Sequence, residues 1–249
     1  MRKSLSVSVL GLITLLCFGI LPACTSSGNK NNSQSNKADS IIQKVQTQEA
    51  ISLFNGKNTD GWHTFNKDSA DPCWHAENGV LSLDPSLGGG GTLITDNTYE
   101  NFILTLDWKI SPKGNSGILV NVIEDLKYDH AYLTAPEMQV LDNKEAEDNK
   151  DSTHLAGSLY DMISCSPDNV NPAGEWNKVK IKQNNGELTF WINDHKVANV
   201  QIGSQKWKER IANSKFSGVT DFGKAKKGHI GLQDHGHKVS YKNIKIQVL

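Results

Sequence analysis

The chain has 249 residues, with 26 lysines and arginines against 27 aspartates and glutamates, so its formal net charge is −1. A near-neutral chain without a block of basic residues gives little support to nucleic-acid binding, and we expect no nucleic-acid partner. Once the first 50 or so residues are set aside, about 200 remain, which is enough for one domain with a sizeable hydrophobic core.

The N-terminus has the pattern of a secretion signal. Arg2 and Lys3 precede an apolar segment, 7–20, that is too short and wrongly flanked for a stable membrane span. The segment ends in Leu21-Pro22-Ala23-Cys24, which resembles the lipobox of bacterial lipoproteins. We therefore predict a signal peptide over 1–23, a lipid on Cys24, and a protein held in the bacterial cell envelope, periplasmic or at the outer-membrane surface. Ordinary secretion, with Cys24 incidental, is the alternative.

Residues 24–50 are predicted to be a flexible tether. The segment is rich in serine, asparagine, glutamine and lysine, and it has almost no apolar residue before Ile41. Such a composition cannot bury enough surface to offset the loss of chain entropy on folding. The tether would link the lipid anchor to the domain that follows.

From residue 51 onwards, short apolar segments are separated by turn residues. Glu77-Asn78-Gly79 is a hairpin signal, and Asn184-Asn185-Gly186 turns the chain into the strand that follows it. Residues 102–110 alternate strictly between apolar and polar side chains, as a half-buried strand does. Only 205–213 has helical spacing. Strands are predicted over 73–76, 80–83, 102–110, 118–123, 138–141, 158–163, 179–181, 188–192, 197–202, 229–233 and 239–248. Residues 51–249 are therefore predicted to form an all-β sandwich of two antiparallel sheets with one short helix.

Two further residue types allow expectations about the core. Cys73 and Cys165 remain in the domain, and export would permit a disulfide. Because their spacing carries no pairing signature, we favour two free, packed thiols. Most tryptophans are expected in the core, notably Trp191 between Phe190 and Ile192.

One predicted strand separates an apolar face from a polar one. Side chains two residues apart share a face, so Glu137 and Gln139 point one way while Met138 and Val140 point the other. A carboxylate beside an amide suits the donors and acceptors of a sugar. Asp142 falls on the opposite face of a regular strand, so it joins this pair only if the strand ends or bulges there.

Three other segments carry candidate polar residues. Asn115 opens an Asn-Ser-Gly turn, where it binds a sugar hydroxyl or only forms an Asx turn. His154 is a candidate for proton exchange near neutral pH, or a solvated loop histidine. The run Gln233-Asp234-His235-Gly236 ends a late strand, and His237 follows at a spacing that two metal ligands could share.

These segments together resemble the family of 3-keto-glucoside 1,2-lyases and 3-keto-2-hydroxy-glucal hydratases, over about 51–249. The resemblance implies a concanavalin A-like jelly roll that binds a 3-keto-glycoside or another sugar. Leu155 departs from the family pattern, which usually has proline or a small residue after the histidine. By resemblance, the catalytic residues are Glu137, His154 and His235, and the substrate-binding residues are Asn115, Gln139, Asp142, Tyr160, Gln233 and Asp234.

The resemblance also implies roles and a reaction. His154 or Glu137 would be the base, and His235 with Asp234 would be the acid or the partner of an enolate. A divalent metal acting as Lewis acid is left open by the sequence. The alternatives are a non-catalytic carbohydrate-binding module and an ordinary glycoside hydrolase. The last is disfavoured because Leu141 stands where related β-glucanases have a second carboxylate.

The lipid anchor gives the first testable prediction. Replacing Cys24 (Cys24→Ala) should release the protein from the membrane fraction and abolish labelling by a fatty-acid probe, because the thiol is the acceptor of the lipid. Fractionation and labelling of wild type and variant measure this, with Cys17→Ala in the signal segment as the control. Unchanged membrane association and labelling in Cys24→Ala would contradict the anchor.

Overall fold

The computed structural model describes residues 49–249. The predicted signal peptide, Cys24 and all but the end of the predicted tether lie outside the described residues, so the structure does not test them.

The described chain forms thirteen strands, one α-helix and four short 3-10 helices. The strands are β1 Ile51–Ser52, β2 Trp62–Thr64, β3 Trp74–Glu77, β4 Val80–Leu83, β5 Leu93–Thr95, β6 Phe102–Ile110, β7 Asn115–Val122, β8 Glu137–Leu141, β9 Asn177–Asn184, β10 Glu187–Ile192, β11 His195–Gln201, β12 His229–Leu232 and β13 Val239–Val248. The α-helix is α1 Gln205–Ala212, and the 3-10 helices are Pro85–Leu87, Ala131–Leu133, Ser152–His154 and Pro167–Asn169.

Two antiparallel sheets make up the sandwich. One has the order β11-β10-β9-β6-β13-β4-β3, with β1 also pairing with β13, and the other has the order β2-β5-β12-β7-β8. The predicted jelly-roll fold class is thereby confirmed. Within residues 49–249, no helix combines the length and apolar character that crossing a membrane requires.

The core lies between the two sheets and follows the alternation of the strands. In β6, Phe102, Leu104, Leu106, Trp108 and Ile110 are buried, while the residues between them are half-exposed. The apolar side chains of β8 that meet them are Met138 and Val140. Burying one such large side chain stabilises a fold by roughly 1.5–3 kcal/mol, so the alternation fixes which face of each strand turns inwards.

The predicted hairpins are confirmed. Asn78 and Gly79 join β3 to β4 with φ angles of 50° and 78°, and Asn185 and Gly186 join β9 to β10 with φ angles of 50° and 80°. Positive φ at both central residues defines the turn whose twist matches that of the flanking strands. The helix predicted over 205–213 is also confirmed, as α1. The Ser204 hydroxyl caps its N-terminus by accepting a hydrogen bond from the Trp207 main-chain N–H.

The strand predicted over 158–163 is wrong. This segment makes only isolated bridges, from Leu159 to Met138 and to Ile163. Its main chain bonds to the edge of β8, but positive φ angles at Gly157 and Asp161 bend the chain away on both sides. The bend keeps Tyr160 beside Glu137, whose carbonyl accepts a hydrogen bond from the Tyr160 N–H at 3.0 Å.

The cysteines agree with the sequence prediction and one tryptophan does not. Cys73 and Cys165 are buried free thiols, as expected. Trp191 is only half-buried, because its neighbours Phe190 and Ile192 already occupy the inward positions of β10. Trp191 therefore points to the outer surface of the larger sheet.

A buried amide pair joins the two sheets at one end of the sandwich. The Asn121 amide on β7 donates to the Gln183 Oε1 on β9 at 2.7 Å. The Gln183 Nε2 in turn lies 2.5 Å from the Glu100 carbonyl oxygen and 2.6 Å from the Lys226 carbonyl oxygen. Gln183 thus satisfies polar groups from three separate segments.

We expect Gln183→Met to destabilise the domain by about 2–4 kcal/mol, because it leaves several buried polar groups without partners. For a domain of this size the melting temperature should fall by roughly 5–15 °C. Thermal denaturation measures the change, and Lys182→Met on the outward position of the same strand is the control. An equal melting temperature for both variants would contradict a structural role for the amide pair.

Candidate active site

Strand alternation places a polar pocket on the outer face of the five-stranded sheet. Glu137 and Gln139 on β8 point away from the core, beside Asn115 on β7 and Gln233 at the end of β12. Loops cover the face, so these side chains are buried although they do not belong to the core.

The pocket has a volume of about 130 Å³ and opens beside a larger cleft of about 520 Å³. Both contain Asn115, Asp148, Tyr160 and His235. The pocket is also lined by Tyr132, Glu137, Gln139, Lys215, Phe216 and Gln233. Six of the residues predicted from the sequence therefore meet here: Asn115, Glu137, Gln139, Tyr160, Gln233 and His235.

Glu137 is the buried carboxyl group of this pocket, with 5% of the residue exposed. Its side chain lies directly on Gly117 of β7, where a Cβ atom would come within 1.9 Å of the Glu137 Oε1. Gln233 Nε2 donates to the Glu137 Oε2 at 3.4 Å. Burial raises the pKa of Glu137 to about 8, Lys215 opposes the shift, and Asp148 adds to it.

Asp148 organises the wall next to Glu137. Its Oδ1 lies 2.8 Å from the His154 Nδ1, and its Oδ2 accepts the Tyr160 hydroxyl at 3.0 Å. The Gln139 amide approaches the same Oδ2 at 3.5 Å. Because both carboxylate oxygens have partners, Asp148 holds other side chains in place.

His154 is bound on both sides by carboxylates. Its Nδ1 faces Asp148, its Nε2 lies 2.9 Å from the Asp161 Oδ1, and its ring stacks on Tyr160 with centroids 4.4 Å apart. Burial acts to lower the pKa of His154, but the hydrogen bonds to Asp161 and Asp148 outweigh it and raise the pKa. Both ring nitrogens of His154 are occupied by carboxylates, so of the two candidate bases, His154 and Glu137, only Glu137 has a side chain free to take a proton from a ligand.

Lys215 brings a positive charge to the pocket. Its main-chain N–H donates to the Asp161 Oδ2 at 2.6 Å, so the carboxylate that binds His154 also fixes this lysine. The ammonium group lies 4.1 Å from the centroid of the Tyr160 ring. Among residues 49–249, it has no carboxylate oxygen within ion-pair distance, so it remains available to a negatively charged ligand atom.

Two further polar groups face the pocket and the cleft. The Asn115 Oδ1 is buried and has no hydrogen-bond partner within the part of the chain that the structure describes. A sugar hydroxyl would supply the missing donor. His235 is exposed, and its ring is nearly parallel to that of His237, with centroids 6.1 Å apart.

Two predicted substrate-binding residues have structural partners instead. Strand β8 ends at Leu141, and the Asp142 carboxylate accepts the main-chain N–H groups of Lys113 and Lys144 at 2.8 and 3.0 Å. The Asp234 carboxylate accepts the N–H groups of Gly91 and Gly236 at 2.8 and 2.7 Å. Neither residue lines the pocket or the adjoining cleft, so the assignment of both to substrate binding is not supported.

Among the residues that the structure describes, His235 and His237 are not joined by further side chains that would complete a metal centre. Residues 49–249 contain no group of three or more histidine, cysteine, aspartate or glutamate side chains placed to hold a metal ion. The divalent metal left open by the sequence therefore has no ligand set among these residues.

Sequence reasoning missed four residues of the pocket: Tyr132, Asp148, Lys215 and Phe216. Tyr132 lies in the short 3-10 helix Ala131–Leu133, and the other three come from loop segments without regular periodicity. Asp148 lies in an acidic, lysine-containing run that is typical of a solvated surface, and Lys215 follows the helix by only a few residues. Their side chains meet because the loops fold back over β8.

A β-sandwich whose sheet face holds a buried carboxyl, amides and aromatic walls has the features of a carbohydrate-active protein. The chain belongs to the 3-keto-alpha-glucoside-1,2-lyase-like domain family, whose match spans residues 49–247. The sequence resemblance is thereby confirmed, and the protein is a carbohydrate-active enzyme.

Individual relatives agree with this family. A 3-keto-disaccharide hydrolase of Bacteroides thetaiotaomicron is 35% identical over 238 residues, which cover 85% of this chain and 82% of the relative. Two crystal structures of proteins assigned as glycosyl hydrolases, both from Parabacteroides distasonis ATCC 8503, are similar. The first has a TM-score of 0.74 at 35% identity, and the match covers 80% of this chain and 94% of the crystallised chain. The second has a TM-score of 0.61 at 28% identity, and the match covers 81% of this chain and 100% of the crystallised chain.

The burial of Glu137 predicts a stability difference that depends on pH. Because the folded-state pKa is raised above its ordinary value of 4.5, the folded state is favoured at low pH and loses stability as the pH rises from 4.5 to about 8. Glu137→Gln lacks this titration. Its stability relative to wild type should therefore increase with pH across that window, by on the order of 2–4 kcal/mol.

Thermal or urea denaturation of both proteins between about pH 5 and pH 9 measures the difference. Glu77→Gln, at an exposed glutamate of β3, is the matched control and should show no such trend. A constant offset between Glu137→Gln and wild type at all pH values would show that Glu137 is not held as a neutral group.

Proposed function

We propose that this enzyme acts on 3-keto-glycosides, cleaving the glycosidic bond by β-elimination or hydrating the resulting 2-hydroxy-glucal. The observation that carries the proposal is the carboxyl group of Glu137, which is buried in a polar pocket, has a raised pKa and shares the pocket with Lys215. This arrangement suits removal of a carbon-bound proton better than it suits glycoside hydrolysis.

The chemistry follows from the ketone. A carbonyl at C3 acidifies the proton on C2, because the electron pair left behind is delocalised onto the C3 oxygen as an enolate. When the enolate collapses, a C1=C2 double bond forms, the C3 carbonyl returns, and the C1 substituent leaves with its bonding electrons. The enzyme must supply a base, a positive group for the C3 oxygen and a proton for the leaving group.

Three pocket residues fit these roles. Glu137 is the base, and its raised pKa makes its carboxylate a stronger proton acceptor than an exposed one. Lys215 carries the positive charge that would stabilise the enolate oxygen. His235, which lines both the pocket and the larger cleft, stands where a leaving group would pass and can protonate it.

The remaining residues bind and position. Asn115, Gln139 and Gln233 offer amide groups to the hydroxyls of the sugar. In this proposal His154 is a positioning residue: through Asp148 it holds Tyr160, and through Asp161 it holds Lys215. In the hydratase direction, the same groups would deliver water to C1 and return the proton to C2.

The two alternatives are less well supported. An ordinary glycosidase uses two free carboxyl groups about 5–9 Å apart. The second carboxyl of this pocket belongs to Asp148, and its oxygens are held by His154 and Tyr160. A non-catalytic binding module would not need a buried carboxyl group such as Glu137, because burying an ionisable group lowers the stability of the fold.

The anchor belongs to the proposal as well. A lipid on Cys24 and the tether over 24–50 would hold the domain 51–249 at the cell envelope, where glycosides enter from outside. The Cys24→Ala experiment tests this part independently of activity.

The substrate gives the fourth prediction. The purified protein should release the aglycone from a 3-keto-glucoside and leave the matching unoxidised glucoside intact, because without the ketone the C2 proton is too weakly acidic for a carboxylate base. Product analysis of the two substrates side by side measures this. Equal turnover of both would indicate an ordinary glycosidase, and no turnover of either would indicate a binding module.

The same assay tests the base. Glu137→Gln should lower kcat by at least about 100-fold, the scale for loss of a general base. In wild type, kcat/KM should rise with pH towards about 8, as Glu137 ionises. Glu147→Gln, at an exposed glutamate of the adjoining cleft, is the control. Near-normal turnover in Glu137→Gln would remove Glu137 from the mechanism.

A further inference from the structure

The larger sheet carries a concentration of positive charge on its outer surface. Alternate positions of neighbouring strands supply the ammonium groups, and we call this surface the lysine face. Its lysines are Lys178, Lys180 and Lys182 on β9, Lys109 on β6, Lys242 and Lys245 on β13, and Lys196 on β11. Two carboxylates, Asp107 on β6 and Glu187 on β10, share this face with them, and a third, Asp194, lies between β10 and β11 and lines the cleft at Trp191.

The lysines of this face are not neutralised by neighbours. None of them belongs to an ion pair among residues 49–249. The Asp107 Oδ2 instead accepts the side-chain amide of Asn243 at 2.7 Å, and the Glu187 Oε1 accepts that of Asn199 at 2.7 Å. Seven ammonium groups that outnumber the neighbouring carboxylates and, within the described chain, form no ion pair with them favour a negatively charged partner.

Two half-buried tryptophans lie among these lysines. Trp191 has Lys180 and Lys196 as its direct neighbours on the two adjoining strands, and the Lys180 ammonium lies 4.2 Å from its ring centroid. Trp176 has the ammonium groups of Lys109 and Lys242 at 5.0 and 4.0 Å from its ring centroid. Each aromatic ring is therefore flanked by two positive charges.

A shallow cleft of about 320 Å³ begins at Trp191 and runs across β9 and β6 to β13. Its polar lining residues besides the lysines are Thr105, Asp107, Asp194 and Asn243. A hydroxyl, two carboxylates and an amide provide hydrogen-bond partners for neutral hydroxyl groups. The cleft thus offers an apolar ring, positive charge and hydroxyl partners side by side.

We propose that the lysine face binds an acidic polysaccharide, a chain of sugar rings that carry carboxylate or sulfate groups. A sugar ring packs on the accessible part of a half-buried indole, and the acidic groups on either side of it meet the flanking lysines. Lysines two residues apart on one strand are about 6.6 Å apart, and those on neighbouring strands are about 4.8 Å apart, so a flat chain can contact several at once.

This surface is separate from the active pocket. Glu137 lies on the outer face of the five-stranded sheet, whereas the lysine face is the outer face of the other sheet, across the core. The polysaccharide would therefore hold the enzyme near its source of glycosides without occupying the pocket. This inference does not depend on the reaction proposed above.

The features of this face fit a glycan better than the two other common polyanions. The large apolar side chains that are exposed within 49–249 are Ile51, Leu87, Leu126, Val248 and Leu249, none of which lies among the flanked tryptophans, so the face has little to insert into a membrane. The Asp107 carboxylate between Lys178 and Lys242 repels any anionic group, which disfavours a nucleic acid with a phosphate on every unit more than a glycan that can place a neutral hydroxyl there. Such a hydroxyl would donate to the carboxylate.

Binding can be measured by titrating the full chain with polygalacturonate, heparin and uncharged dextran at about 150 mM salt, where weak surface electrostatics are screened. We expect polygalacturonate or heparin to bind and dextran not to bind. Single-stranded DNA and vesicles containing anionic lipid are tested in parallel and should bind more weakly than the acidic glycan.

Two variants test the surface. Replacing Lys178, Lys180 and Lys182 by serine should weaken acidic-glycan binding at least about tenfold, since it removes three charge-assisted contacts. Serine at Lys206, Lys208 and Lys227, which are exposed elsewhere, is the charge-matched control and should bind as wild type does. Trp191→Ala tests the stacking contribution without any change in charge and should also weaken glycan binding. Melting temperatures and turnover of the 3-keto-glucoside should stay unchanged in all three.

Several outcomes would overturn the proposal. They are no binding of either acidic glycan, equal losses in the two triple-lysine variants, an unchanged affinity in Trp191→Ala, or tighter binding to DNA or vesicles than to acidic glycans. The last result would assign the lysine face to a different polyanion. Because turnover is measured separately, failure of this proposal is distinguishable from failure of the catalytic one.

Discussion

The alternation of side chains along β-strands is the constraint on which every functional surface of this protein depends. A strand can bury only one face in the core between the sheets, so the side chains of its other face point away from the core. On β8 these side chains include Glu137 and Gln139, which line the pocket, and on β9 they include three lysines on the outer surface. One fold thereby carries two chemically distinct surfaces on opposite sides of a shared core.

In the proposed mechanism, the reactivity of the pocket depends on the burial of one carboxyl group, that of Glu137. Burying Glu137 opposes ionisation, and the protein leaves its carboxylate without a tight cationic partner. The energetic cost of this burial is offset by the surrounding fold, through the Gly117 backbone against which the side chain packs and the loops that cover it. Such a local loss of stability is the expected counterpart of the proton-transfer role proposed for Glu137.

The charged residues behind the pocket form a chain of contacts with a different purpose. His154 lies between Asp148 and Asp161, and these carboxylates in turn fix the Tyr160 hydroxyl and the Lys215 main chain. Opposite charges so arranged are mutually stabilising, so the network is rigid rather than reactive. A histidine that is conspicuous in the sequence thus supports the site, while a lysine on an unremarkable loop supplies its charge.

The sequence by itself determined the class of fold, the hairpin turns, the short helix and the polar face of β8. Each of these depends on neighbours within a few residues, such as the alternation of 102–110 or the Asn-Gly turns. It also brought Asn115, Glu137 and Gln233 together through family resemblance. Its prediction of strand 158–163 failed because Gly157 and Asp161 take positive φ angles that only the packing of the segment against β8 reveals.

Only the tertiary structure decided which polar groups meet. Asp148 and Lys215 are 67 positions apart in loops without periodicity, so no local pattern links them to Glu137. Asp142 and Asp234 have the right chemistry for a site, but main-chain donors from distant turns occupy them. The lysine face was likewise hidden, because its residues alternate with apolar ones on separate strands and form a continuous surface only when the strands pair. The sequence specifies the periodicity of side chains along each strand. A functional surface depends instead on the spatial distances between residues that are far apart in the sequence, and these distances are set by the order of the strands and the folding of the loops.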